Sequence, residues 1–216
     1  MIPQGKEELF ESLSGECSHL YLAIDGVLVA VIAITDPIRE EAPQVVSMLR
    51  KCGLSKIVMM TGDSERTAEV VAAKVGVDEY YSEVLPEDKA SYVEKEHQAG
   101  CKVIMIGDGV NDSPALSAAD VGIAICDGAE MAREIADITI AGDNLEELVT
   151  LKRLSNALVK RIHGNYRQIV GFNTGLILCG IGGVMQPATS GILHNTSTLA
   201  ISVKSMKDLL SEKDEK

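Results

Sequence analysis

A chain of 216 residues with 46% hydrophobic and 24% charged side chains is too apolar to be disordered, and long enough for one domain with a real core and some further structure. Aromatics make up only 3% and tryptophan is absent, so the core must be aliphatic, as in parallel α/β layers. The net charge of −12 is uneven: residues 1–150 hold 28 acidic and 11 basic side chains, and residues 151–216 hold 4 and 9, which argues against nucleic-acid binding by the acidic body and suits a basic, membrane-proximal end.

In chain order, the first eleven residues are polar and charged and carry no secretory leader pattern. Apolar runs at 20–24 and 27–34 flank Asp25-Gly26, a strong short-range hairpin signal. Asp36-Pro37-Ile38-Arg39 then opens a predicted helix to about Lys51, with Pro37 in its first turn and Glu40 and Glu41 at its positive end. Strands are predicted at 56–60, 80–82, 103–106, 121–125 and 138–140, and helices at 64–75, 86–98, 114–119 and 129–136. Strands alternating with helices predict a parallel sheet covered on both faces. Cys17, Cys52, Cys101, Cys126 and Cys179 are scattered, without metal-ligand spacing, and read as free thiols in a reducing compartment.

From Asn144 the pattern changes. Residues 145–162 read as one long charged helix, followed by an uncharged run at 169–185, a break at Gln186-Pro187 and a second uncharged run at 188–203. Each run is near the lower limit for spanning a bilayer, about 17–25 residues. Lys152, Arg153, Lys160, Arg161 and Arg167 precede the pair, and Lys204 and Lys207 follow it, so both ends are expected on the cytoplasmic side. A pair of buried core helices is the other reading.

Three short motifs carry chemistry. Gly107-Asp108-Gly109-Val110-Asn111-Asp112-Ser113-Pro114 lies between a predicted strand and a helix, at the carboxyl end of the sheet where ligands bind. Asp108 and Asp112, with Asn111 between them, form an oxygen-rich site for Mg²⁺, which uses one or two carboxylates plus phosphate oxygens and water. Ser113 suits a helix cap and Pro114 the first helical position. Thr61-Gly62-Asp63-Ser64 also joins a strand to a helix, offering a hydroxyl and free amides to an anion. In Pro86-Glu87-Asp88-Lys89 the lysine stands in a first turn, against the helix dipole, where its natural use is to neutralise a phosphoryl group. Singly these read as helix caps and a surface lysine; together and in this order they are specific.

The chain resembles the haloacid-dehalogenase-like phosphoryl-transfer fold, in the wording of P-type ATPases. Asp36–Arg39, Thr61–Asp63, Pro86–Lys89 and Gly107–Pro114 carry the likeness, which runs from about Tyr21 to Leu210. The two-helix ending resembles the heavy-metal (type IB) branch. The resemblance implies an α/β Rossmannoid parallel sheet lacking its first, central strand, followed by a two-helix transmembrane hairpin. It divides the chain into the tail of a nucleotide-binding domain (1–34), a phosphorylation domain (35–143), a stalk helix (144–168), the hairpin (169–207) and a cytosolic tail (208–216). It also implies that Thr61 and Lys89 contact the phosphoryl group of ATP with Gly62 and Asn111 beside them, that Asp63 shapes the loop, and that Asp108 and Asp112 serve Mg²⁺.

The family's phosphorylated string, Asp-Lys-Thr-Gly-Thr, does not occur in this sequence. Without that nucleophile no covalent intermediate forms, so the resemblance implies a partial metal-exporting ATPase, inactive alone and needing a chain that supplies the missing half. The absent strand is expected to leave two apolar strand edges unpaired. Two other readings stand: a soluble phosphatase of the same fold using Asp25, and a non-catalytic membrane partner of an intact pump. The cargo site is expected at His194 and Thr198, one helical turn apart, with Asn173 facing them. Imidazole, amide and hydroxyl suit a divalent cation of the Zn, Co or Mn class over Cu(I). The expected location is a membrane, with plasma membrane favoured and the phosphorylation domain in the cytoplasm.

Overall fold

The computed structural model describes residues 18–34, 37–108, 111–125, 135–141 and 144–210. The chain forms two compact units, Met1–Leu148 and Val149–Lys216.

In the first unit, β1 (Ser18–Ile24) pairs with β2 (Val27–Ile34) antiparallel through the expected turn. Both turn residues take positive φ, 49° at Asp25 and 78° at Gly26. That is the primed geometry whose twist matches the flanking strands. This ribbon is a sheet of its own, and Asp25 is its tip. Asp25 therefore does not follow a strand of the parallel sheet, as the phosphatase reading requires, and that reading is set aside.

The helix expected from Pro37 begins later: α1 spans Ala42–Lys51, with Glu41 at its N-cap. Pro43 sets this start. Proline lacks an N–H and its ring clashes one turn back, so it is tolerated only in a first turn. A helix from Pro37 would carry Pro43 in its interior. Asp36 lies outside the described residues, as does most of the helix expected at 129–136.

The remaining elements are β3 (Val58–Met60), α2 (Glu65–Val75), β4 (Glu79–Tyr81), α3 (Pro86–Gln98), β5 (Ile104–Gly107), α4 (Ser113–Ala118), β6 (Val121–Ile125) and β7 (Ile138–Ile140). All pairings among these strands are parallel. They fall into two pieces, β3–β4 and β5–β6–β7, with no ladder between β3 and β5 among the described residues. Side chains join the pieces instead: Met60 of β3 packs on a cluster of Val93, Met105, Ala115 and Leu116 drawn from α3, β5 and α4. Along β5 the strand period of two is plain, with Met105 buried at 7% and Ile104 and Ile106 exposed at 40% and 36%.

Local chemistry fixes the ends of these elements. Ser64 Oγ accepts from Thr67 N at the start of α2, and Gly76, at φ 80°, ends it in the left-handed conformation. Asp88 accepts from Leu85 N at the start of α3 at 3.2 Å. At the other end of the sheet, Asp120 gathers three groups: Lys102 Nζ at 2.7 Å, Val103 N at 2.9 Å and His97 Nε2 at 2.8 Å. The Lys102 ammonium, then the Val103 amide, hold the Asp120 carboxyl well below the usual carboxylate range.

The predicted stalk and the first apolar run form one continuous helix, α5 (Glu146–Ile181). The break at Gln186-Pro187 holds, and α6 (Pro187–Ser205) starts on the proline. Arg161 of α5 donates to the backbone carbonyls of Ser205 at 3.0 Å, of Asp208 at 2.6 Å, and of Lys207. Asn165 Nδ2 donates to Ser205 Oγ at 2.7 Å. The expectation that these helices cross a membrane meets a difference. Among the described residues no helix is long and apolar enough to do so. The uncharged run outlasts α5, which stops at Ile181, and Arg167 stands two residues before it. In α6, His194, Asn195 and several hydroxyls dilute the apolar side chains.

Candidate active site

β3 and β5 carry the predicted residues at their carboxyl ends. After β3, Thr61 N donates to Tyr81 O at 3.0 Å and Val84 N donates to Thr61 O at 3.0 Å, tying the turn to the segment that follows β4. Thr61 Oγ1 donates to Asp63 Oδ2 at 2.9 Å and accepts from Asp63 N at 3.1 Å. Glu83 N closes the turn by donating to Asp63 O at 2.9 Å. A Cβ at Gly62 would meet nothing nearer than Val84 O at 4.0 Å, so this glycine leaves room rather than relieving a clash. At the first position of α2, Glu65 accepts from the Ser82 hydroxyl and from Tyr80 Oη at 2.9 Å. Those two hydrogen bonds, Ser82 first, hold its carboxyl below the ordinary range.

A second group of the predicted residues forms around Asp112. Its residue is only 8% exposed, and its Oδ1 lies 2.7 Å from Lys89 Nζ. The sequence motif places Lys89 in the first turn of α3, and the structure shows which anion faces it there. Asp112 occupies the N-cap of α4 without capping through its side chain, and Ser113, expected to cap, is the first helical residue. The carboxylate turns to the ammonium instead, where both partners of the bond carry charge. Pro114 takes the first turn as expected. Asp108 and Asn111 are exposed, and Gly109 and Val110 lie outside the described residues.

Gly107 carries a steric constraint that the motif reading did not single out. A Cβ there would fall 2.3 Å from Asp112 Oδ2 and 2.7 Å from Asp112 Cβ. The last residue of β5 must therefore be glycine for Asp112 to fold back against the strand. The signal was available: Gly107 opens the motif that carries both acids.

The donor chemistry suits Mg²⁺. Asp108 and Asp112 supply hard carboxylate oxygens, and magnesium takes the rest of its shell from water and phosphate. Asp112 Oδ2 rests against Gly107, where no side chain blocks it. No group of three or more His, Cys, Asp or Glu able to hold a metal occurs among the described residues, so two acids and a phosphate-bearing substrate would have to suffice.

In the second unit, His194 Nδ1 lies 2.8 Å from Asn173 Oδ1, joining α6 to α5. An amide oxygen only accepts, so Nδ1 carries the hydrogen in this contact. Thr198 Oγ1 donates to His194 O at 3.0 Å, leaving its oxygen lone pairs free to accept. Of the three predicted cargo residues, two are therefore paired side chain to side chain, and the third is tied to the backbone of the first.

Comparison with known proteins gives these positions a setting. A profile described as haloacid dehalogenase-like hydrolase matches residues 2–120. The manganese-exporting P-type ATPase of Mycobacterium tuberculosis (strain ATCC 25618 / H37Rv) is 43% identical over 189 residues, covering 87% of this chain and 26% of the relative. Copper-transporting ATPase 2 of Rhizobium meliloti (strain 1021) is 44% identical over 176 residues, covering 82% of this chain and 21% of the relative. The crystal structure of a zinc-transporting PIB-type ATPase in its E2·Pi state superposes with a TM-score of 0.81 at 28% identity, covering 97% of this chain and 34% of that one. The homologues are thus heavy-metal P-type ATPases, and the chain spans about a quarter of the length of the curated relatives it matches.

Proposed function

The chain belongs to the haloacid dehalogenase-like hydrolase family, and on that premise we propose that it is the phosphoryl-handling half and closing helix pair of a P-type ATPase that exports a divalent heavy-metal cation. The observation that carries this reading is the Lys89–Asp112 pair, set at the carboxyl end of parallel strands along with the Thr61–Asp63 turn. Lys89 neutralises charge on the phosphoryl group, Thr61 donates to one of its oxygens once Asp63 releases the hydroxyl, and Gly62 keeps the approach open. Asp63 holds the turn, and Asn111 lies exposed beside the acids. Asp108 and Asp112 would hold Mg²⁺, which supplies positive charge to phosphate oxygens when bound. ATP is the phosphate donor.

The attacking carboxylate must come from outside residues 1–216, because no Asp-Lys-Thr-Gly-Thr string occurs in them. Among the described residues the facing edges of β3 and β5 are unpaired, and they would receive the strand that carries it. The isolated chain forms no aspartyl-phosphate. For the cargo, the imidazole of His194, the amide of Asn173 and the hydroxyl of Thr198 favour a divalent ion of the Zn, Co or Mn class over Cu(I). The second unit seats in a membrane, with the plasma membrane favoured and the first unit in the cytoplasm. Ile177, Leu178, Ile192 and Leu199 are each more than 60% exposed, which favours apolar surroundings for both helices. Helices packed among others need not be apolar all round, so the second unit relies on neighbours from outside this chain.

The test is brief labelling with γ-labelled ATP and Mg²⁺. This chain alone should stay unlabelled. Co-expressed with a segment bearing Asp-Lys-Thr-Gly-Thr, the assembly should take up acid-stable, hydroxylamine-sensitive label, and Lys89→Ala should remove it. Such label on the chain alone would defeat the proposal. Assembly without label would favour a non-catalytic partner of an intact pump.

A further inference from the structure

Near the carboxyl end of α6 the second unit has an open cleft of about 400 Å³, lined by Lys160, Arg161, Gly164, Gln168 and Lys204 among others. The α5 residues fall at helical spacing, so they share one face of that helix. Arg161 is spent on three carbonyls that close the end of α6. Lys160 and Lys204 have no ion-pair partner among the described residues, and both are exposed. Gly164 leaves the floor open, since a Cβ there would touch nothing within 4 Å. Apolar side chains share the lining, Ala157 from α5 and Leu209 from beyond the end of α6.

Two unpartnered ammonium groups over an open floor are made for an anion of phosphate size. Apolar side chains in the lining are not what a free, fully hydrated phosphate needs. They are what the first carbons of an acyl chain need. We infer that this cleft binds the phosphate of an anionic phospholipid headgroup, gripped by Lys160 and Lys204, with Gln168 donating from its amide. The inference rests on the membrane seating proposed above and adds a specific lipid contact to it.

The test uses the full chain with vesicles of phosphatidylcholine alone and of phosphatidylcholine with one-fifth phosphatidylglycerol, read by flotation. The chain should float with both, with about thirtyfold stronger partitioning into the anionic vesicles, as expected for two lysines at the surface. Lys160→Gln/Lys204→Gln should erase that preference while flotation with phosphatidylcholine persists. Gly164→Leu is the sharper variant, because it fills the floor and keeps every charge. Loss of the preference in Gly164→Leu supports a built cleft; an unchanged preference overturns it in favour of diffuse attraction to the surface. Competition by millimolar inorganic phosphate would assign the cleft to free phosphate and overturn the lipid source. Flotation with neither vesicle would defeat the membrane reading itself, and the cleft proposal with it.

Discussion

The ammonium of Lys89 lies 2.7 Å from Asp112 Oδ1, joining the first turn of α3 to the N-cap of α4, with both side chains largely shielded at 16% and 12% exposure. Removing either partner leaves the other charge stranded in a poorly solvated place. Lys89→Met and Asp112→Asn should each lower unfolding stability by about 1–3 kcal/mol. Gly107→Ala should do much the same, because its Cβ would displace Asp112. The Gly107→Ala/Asp112→Asn double variant should then cost less than the sum, since both changes break one arrangement. Urea unfolding of the four proteins checks this.

Gly122 passes close beneath α4. A Cβ there would lie 2.7 Å from Leu116 O, a backbone atom that a rotamer change cannot move. Gly122→Ala should cost about 1–3 kcal/mol by overpacking. Gly164→Ala has open space and should be neutral or slightly stabilising through helix propensity. Thermal unfolding of the two variants side by side makes the comparison.

Asp120 gives a pH signature. Its carboxyl is depressed in the folded chain, so the folded state prefers it charged. Its contribution is fully present above the unfolded value of about 3.8, and is lost as pH falls through the lower folded value. The gap in urea midpoint between the parent chain and Asp120→Asn should still be present in full at about pH 5. It should shrink below about pH 4.

Asp25 tests the rejected phosphatase route directly. Asp25→Asn keeps a residue that tolerates positive φ in a primed turn, so stability should change by no more than about 0.5 kcal/mol. Hydrolysis of small phosphate esters should not change either. Gly26→Val, which puts a β-branched residue at φ 78°, should destabilise the ribbon by about 1–2 kcal/mol. Circular dichroism and a phosphate-release assay cover both variants.

Much of the fold was legible because the strands alternate with helices that carry their own stop signals. Pro86 to Gln98 and Val121 to Ile125 appear with the expected bounds. The start of α1 was not, because two prolines compete for the first turn and only the later one satisfies both. At the site, Asp63 bonding to Thr61 follows from their spacing of two. The bond between Lys89 and Asp112 spans 23 residues, and no local pattern announces it. Ser113 misled for the same reason: its capping preference is local, whereas the carboxylate beside it answers to a distant charge. Arg161 was equally hidden, counted as one of several flanking cations until the end of α6 was seen to close over it.

The separation of β3 from β5 has a consequence for solvent access. Between these strands the link runs through Met60 and its neighbours, with no shared backbone bonds among the described residues. Amide protons on the two free edges should therefore exchange with deuterium far faster than those facing β4 and β6. A bound complement would slow the free-edge set alone, so residue-resolved exchange would register its arrival without any assay of catalysis.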